Sequence, residues 1–82
     1  MIKTLAIIKN AEVRGVEKKR SKKGNDYLVV KIDDETGERS ELMDKDISRE
    51  EYYKRGTVGD FTIKLDISKF ANVEVKDFKI TE

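Results

Sequence analysis

Cysteine, histidine and proline are all missing from this chain of 82 residues. Without cysteine there is no disulfide framework and no thiolate nucleophile. Without histidine there is no imidazole catalysis, and the two absences together remove the Cys/His ligand sets of structural zinc. No repeat or low-complexity tract interrupts the chain. Long apolar runs are missing too: Leu5-Ala6-Ile7-Ile8 ends at Lys9, far short of a signal-peptide core or a membrane span, so a soluble, cytoplasmic protein is expected. Neither sign of charge dominates. Eighteen basic and 17 acidic side chains leave a formal charge of +1, so any electrostatic footprint has to come from arrangement and not from the total. A chain this short supports one core, and residues 1–82 are expected to form a single domain.

What the chain does have is concentrated in residues 18–43. A basic run, Lys18, Lys19, Arg20, Lys22 and Lys23, is read as a loop ending at Gly24. It leads into the most strand-like segment, residues 26–33. Strand side chains alternate between two faces, which puts Leu28, Val30 and Ile32 on a core face and Tyr27, Val29 and Lys31 on an outer one. Asp34-Glu35-Thr36-Gly37 is a turn cluster whose glycine is free to take positive φ, so residues 39–44 should return antiparallel. If Asp33 faces Arg39, then Lys31 faces Glu41, Val30 faces Leu42 and Val29 faces Met43. A slip of one residue would drive Glu41 and Arg39 into the core, so this register is strongly specified.

Residues 2–13 read as a long first strand, with Leu5, Ile7, Ala11 and Val13 at one parity and Ala6 and Ile8 at the other, so that both sides are partly buried. Gly15 then marks a bulge or sharp coil of the kind that lets a small barrel close. After the hairpin, Ser48 is placed as the N-cap of a two-turn helix, with Glu51 completing a capping box and Ile47 meeting Tyr52 as a staple. Glu50 and Glu51 complement the helix start, Lys54 and Arg55 its end, and Gly56 supplies the stop. Residues 57–67 return to period two, with Phe61, Ile63, Leu65 and Ile67 inward. A turn is expected at residues 68–72. Val73 and Val75 then share one parity and Phe78 and Ile80 the other, which a bulge near Lys76-Asp77 reconciles. Five strands with a short helix between strands 3 and 4 make an all-β chain in the order of a small OB-like barrel. An SH3-like barrel is the competitor, and it normally lacks a capped helix at that point.

Lys23-Gly24-Asn25-Asp26-Tyr27, the run Tyr53-Lys54-Arg55-Gly56, and the later segments Phe61-Thr62-Ile63-Lys64-Leu65, Phe70 and Val75-Lys76-Asp77-Phe78-Lys79-Ile80 together resemble the small single-stranded DNA-binding proteins of filamentous phages. The similarity spans most of the chain. It implies an OB-like fold, a homodimer, cooperative binding of single-stranded DNA and a role in phage or mobile-element replication. Tyr27 corresponds to that family's base-stacking aromatic and Lys22 to a basic phosphate contact before the glycine. This chain departs from the family in being more acidic, with Asp33-Asp34-Glu35 in its hairpin.

The residues support the same expectation independently. An exposed ring, two apolar neighbours and adjacent cations suit a platform on which bases stack while lysines hold phosphates. The expected binding residues are Lys18, Lys19, Arg20, Lys22, Lys23, Tyr27, Val29, Lys31 and Arg39, and the expected partner is single-stranded DNA, with RNA as the other nucleic acid. A basic loop that is only solvated has the same composition. The alternative function is a protein adaptor docking through Tyr27, Val29 and Met43. Asp44-Lys45-Asp46 and Asp33-Asp34-Glu35 raise Mg²⁺ or Ca²⁺ binding, but both lie at turns where Asp is favoured for backbone reasons, so no metal and no cofactor is expected. Paired-carboxylate catalysis needs an enclosed site that so small a domain rarely builds, and no enzyme activity is expected.

Overall fold

The computed structural model describes residues 3–67 and 71–81. Its strands are β1 (Lys3–Arg20), β2 (Asp26–Asp33), β3 (Arg39–Asp44), β4 (Val58–Ile67) and β5 (Ala71–Ile80), with a short 3-10 helix over Ile47–Tyr52 between β3 and β4. The strands lie in the order β1-β2-β3-β5-β4, and β4 pairs back onto β1 so that the sheet closes in a ring. All pairings are antiparallel except β3 with β5, which run parallel and meet at Met43 and Glu74.

One strand makes the closure. Residues 3–12 of β1 pair with β4 and residues 12–20 with β2, so β1 is longer than the sequence pattern predicts and carries two irregularities. The first falls between Ile8 and Ala11, where Asn10 takes φ +52 and its N–H donates to Asp60 Oδ1 at 3.0 Å. It reverses the phase of the strand. Ala6 and Ile8 pack on the core beforehand, Ala11 and Val13 are fully buried afterwards, and Leu5 and Ile7, expected to be partly buried, are instead 67% and 60% exposed. The second irregularity makes Arg14 an extra residue, since Val13 faces Ile32 while Gly15 faces Lys31. This is the bend that the glycine signalled.

The β2–β3 register is the expected one throughout: Asp33 faces Arg39, Lys31 faces Glu41, Val30 faces Leu42 and Val29 faces Met43. Gly37 closes the turn at φ +85, donating its N–H to the Asp34 carbonyl at 2.9 Å. The Asp34 carboxylate accepts from the Thr36 hydroxyl and from the N–H groups of Thr36 and Glu38, and these bonds, the hydroxyl's first, hold it below the usual carboxylate range. The bulge expected in β5 is also present: Thr62 faces Asp77 and Ile63 faces Val75, leaving Lys76 as the extra residue. Of the turn expected at residues 68–72, residues 68–70 lie outside the described residues, as do Ile2 and Phe70.

Leu28, Val30, Ile32, Leu42, Phe61 and Ile63 are buried as expected, and Leu65 is only partly buried. Tyr53 joins them at 2% exposure, an addition the pattern did not indicate. Its ring sits 5.1 Å from Phe78 and 5.9 Å from Phe61, and Phe61 lies 4.3 Å from Phe78.

The helix differs from expectation in type and in cap. It is a 3-10 segment and not two α-turns, and Asp46, not Ser48, is its N-cap. Asp46 Oδ1 accepts from the Ser48 N–H at 3.1 Å and from the Ser48 hydroxyl at 2.5 Å, and these bonds lower its pKa. Ser48 is therefore a donor to the cap. Both residue types cap helices, and the carboxylate two residues earlier wins because it also meets the positive end of the segment. Tyr53 is the C-cap, while Gly56 at φ +92 serves a separate turn in which Thr57 N–H bonds the Lys54 carbonyl at 3.0 Å.

Candidate nucleic-acid interface

Lys18, Lys19 and Arg20 lie in β1 and not in a loop, so the loop between β1 and β2 is only residues 21–25. It is tightly tied. Ser21 N–H bonds the Asn25 carbonyl at 2.8 Å, Gly24 N–H bonds the Ser21 carbonyl at 3.0 Å, and Gly24 adopts φ +85. Being in a strand, the basic residues alternate. Lys19 faces Tyr27 across the ladder, whereas Lys18 faces Leu28 and Arg20 faces Asp26, with Arg20 Nε 3.0 Å from the Asp26 carboxylate. Lys18, Lys19, Arg20, Lys22 and Lys23 are all exposed. Tyr27 thus has Lys19 beside it across the ladder, and Lys22 and Lys23 lie in the exposed loop that joins their two strands.

Beside the tip lies a groove of about 790 Å³. Tyr27 and Met43 contribute the outer sheet face, Asn25 and Asp26 the loop side, and Lys45 and Ile47 the opposite wall. Tyr27 and Met43 are half-buried and Ile47 is 39% exposed, so the lining combines a ring, two apolar chains and a cation. Val29 lies in the next row, between Glu17 and Met43. Lys45 Nζ stands 3.7 Å from Glu74 Oε1, which Lys76 Nζ also approaches at 3.6 Å. Sequence reasoning missed Lys45 and Ile47. The available signal was parity: Lys45 is two residues past Met43 and continues its face.

That wall is held by a buried network. Asp44 is fully buried; its Oδ1 accepts from Arg49 Nη1 at 2.8 Å and from the Asp46 N–H at 2.9 Å, and its Oδ2 from the Tyr53 hydroxyl at 2.5 Å. Arg49 Nη2 also donates to the Lys76 carbonyl at 2.8 Å, so one guanidinium ties the 3-10 segment to β3 and β5. Burial first, then the bond to Asp44, pushes the Tyr53 phenol well above its ordinary value. Both carboxylates of the Asp44-Lys45-Asp46 stretch are engaged in this local bonding. Among the described residues no group of three or more Asp, Glu, His or Cys side chains is placed to hold a metal ion.

Lys31 and Arg39 do not join the groove. They line a second depression of about 810 Å³ at the other end of the hairpin, with Arg14, Arg55 and Glu41. Asp33 lies between two of these arginines, 3.5 Å from Arg14 Nε and 3.3 Å from Arg39 Nε, although its Oδ1 accepts no hydrogen bond. Lys31 faces Glu41. The expected site therefore divides in two: Lys18, Lys19, Arg20, Lys22, Lys23 and Tyr27 lie at one end, Val29 lies between, and Lys31 and Arg39 lie at the other with Arg14, Arg55 and Glu41. The described residues contain no helix long and apolar enough to cross a membrane. Comparison of the chain with protein-family models, curated proteins and solved structures finds no match.

Proposed function

We propose that this chain binds single-stranded DNA with little sequence preference, at the hairpin-tip end of an OB-like barrel. The strand order and the helix between β3 and β4 support the OB-like reading. One observation supports the function most: Tyr27, Met43, Ile47 and Lys45 line one groove, and Lys19 lies beside Tyr27 across the ladder. A ring with an open π-face accepts any base, and cations on either side of it meet successive phosphates. Lys31 and Arg39 lie outside this groove, in the depression at the other end of the hairpin.

The test is titration of a fluorescently labelled oligonucleotide over a range of salt concentrations, with DNA and RNA of the same sequence in separate arms. Tyr27→Ala should cost about 1 to 3 kcal/mol of affinity and Tyr27→Phe very little, since stacking uses the ring and not the hydroxyl. Changing Lys19, Lys22 and Lys23 together to alanine should lower the logarithmic salt slope by about 2, at roughly 0.7 for each phosphate that a lysine no longer neutralises. Wild-type protein that binds no oligonucleotide even at low salt would overturn the proposal and leave the apolar groove to an adaptor role.

A further inference from the structure

A carboxylate stands beside the groove with its hydrogen-bonding capacity unused. Glu74 of β5 is the ladder partner of Met43, one strand spacing or about 4.8 Å away, and paired residues share a face, so its side chain lies next to a residue that lines the groove. Lys45 of the opposite wall reaches the same place. Its Nζ is 3.7 Å from Glu74 Oε1, and Lys76 Nζ is 3.6 Å from that same oxygen. Both contacts are longer than a hydrogen bond, and Oε2 makes neither of them. The Glu74 side chain is only 16% exposed, and a polar group so enclosed normally has a hydrogen-bond partner.

We infer that Glu74 selects the base stacked on Tyr27, favouring bases that carry an exocyclic amino group over thymine and uracil. The inference rests on the groove binding a single strand, and it adds a modest preference to a stacking contact that otherwise tolerates any base. Charge decides which part of the nucleotide meets Glu74. A carboxylate repels a phosphate, whereas Lys19 beside Tyr27 and Lys45 in the wall attract one, so the base and not the backbone extends over Met43 toward β5. An ionised carboxylate can only accept hydrogen bonds. Cytosine offers it the N4 amino group, adenine the N6 and guanine the N2. Thymine and uracil set the O4 acceptor where cytosine has its donor, and two electronegative oxygens then face each other. One such hydrogen bond in a half-open groove corresponds to roughly threefold to tenfold in affinity. Glu17 supplies the comparison: it is the ladder partner of Val29 on the β1 side, exposed, and outside the groove lining.

The test is titration of the intact chain, at neutral pH and fixed salt, with labelled oligodeoxycytidine and oligodeoxyuridine of equal length. These strands differ only in the exchange of amino for oxo at C4 and the N3 proton that accompanies it. Wild type should bind oligodeoxycytidine roughly threefold to tenfold more tightly. Glu74→Gln, whose amide offers a donor as well as an acceptor, should bring the ratio of the two affinities close to unity while raising both. Glu17→Gln should raise both and leave the ratio as it is in wild type, which separates base selection from the loss of a negative charge. Equal affinities in wild type overturn the inference and leave the groove reading standing. So does a ratio that Glu74→Gln leaves unchanged, or one that Glu17→Gln abolishes to the same extent. Failure to bind either strand overturns both readings. Should circular dichroism show Glu74→Gln unfolded, Glu74→Asp takes its place: it keeps the charge, withdraws the carboxylate from the groove, and must lower the ratio.

Discussion

Replacing Asp44 by alanine should remove much of this protein's stability. The carboxylate is fully buried and satisfies three donors, the Tyr53 hydroxyl, the Arg49 guanidinium and the Asp46 N–H. Tyr53 is 2% exposed, so its hydroxyl cannot turn to water for a substitute. The Arg49 side chain is 20% exposed and recovers part of its hydration, which keeps its share of the loss below that of an enclosed ion. Orphaning one partner of a buried ionic network costs about 3 to 5 kcal/mol. A chain of this length has roughly 4 to 12 kcal/mol in total, so the loss takes about a quarter of it at the upper bound and all of it at the lower. Asp44→Asn retains an acceptor but loses the charge opposite Arg49, and should cost about half as much. Tyr53→Phe leaves the ring stack intact and strips only Oδ2 of its donor, at about 1 to 3 kcal/mol. Urea denaturation followed by far-ultraviolet circular dichroism orders the three variants. An Asp44→Ala protein within about 1 kcal/mol of wild type would refute the reasoning, because it would mean that the network contributes no more than one exposed hydrogen bond.

The Tyr53 phenol gives a pH dependence of definite sign. Its pKa is raised in the fold above the ordinary 10.0, so its contribution to stability is complete below pH 10 and is lost as pH rises beyond it, where the unfolded chain ionises first. Melting temperature should fall more steeply above pH 10 in wild type than in Tyr53→Phe, with Tyr52→Phe, at an exposed site, behaving like wild type. Gly59→Ala should destabilise by about 1 to 3 kcal/mol through overpacking. Its Cβ would stand 2.5 Å from Phe78 Cε1 and 2.6 Å from the Lys79 carbonyl, and the carbonyl belongs to the β4–β5 ladder. A shift of about 4 °C or more in thermal melting is expected, and an unchanged midpoint would contradict this close approach.

The β2–β3 hairpin was legible from sequence because alternation, turn chemistry and charge all selected one register, and any slip would have buried Glu41 or Arg39. The β5 bulge was legible for a related reason: Val75 and Phe78 cannot both face inward without an extra residue between them. The phase reversal in β1 was not. It depends on Asn10 taking φ +52 and on a bond to Asp60, fifty positions away, and asparagine alone does not announce a bulge. The cap was misplaced because Asp46 and Ser48 are both acceptable N-caps, and the local pattern does not say which of them takes the segment's free N–H groups. In the groove wall, Lys45 was legible by parity, two residues past Met43 on the same face, whereas Ile47 sits in front of a buried carboxylate, a guanidinium and a phenol whose convergence no local pattern encodes.

A formal charge of +1 does not weigh against binding a polyanion here, because the charges are separated along the hairpin. Lys18, Lys19, Arg20, Lys22 and Lys23 gather at the loop end, while Asp33, Asp34, Glu35 and Glu38 gather at the turn with Arg39 as the nearest cation in sequence. The 8 residues of β2 lie between them. At about 3.3 Å per residue that is roughly 26 Å. The screening length at physiological ionic strength is about 8 Å, so a phosphate at Tyr27 lies some three screening lengths from the acidic turn and responds chiefly to the lysines beside it. Lys31 is nearer, four residues from Tyr27 or roughly 13 Å along β2, and Lys31 and Arg39 line a depression apart from the groove. What a polyanion meets at the hairpin tip is a local field set by a few residues, and the acidic turn is felt there only when ionic strength falls toward about 10 mM, where the screening length approaches the length of the strand.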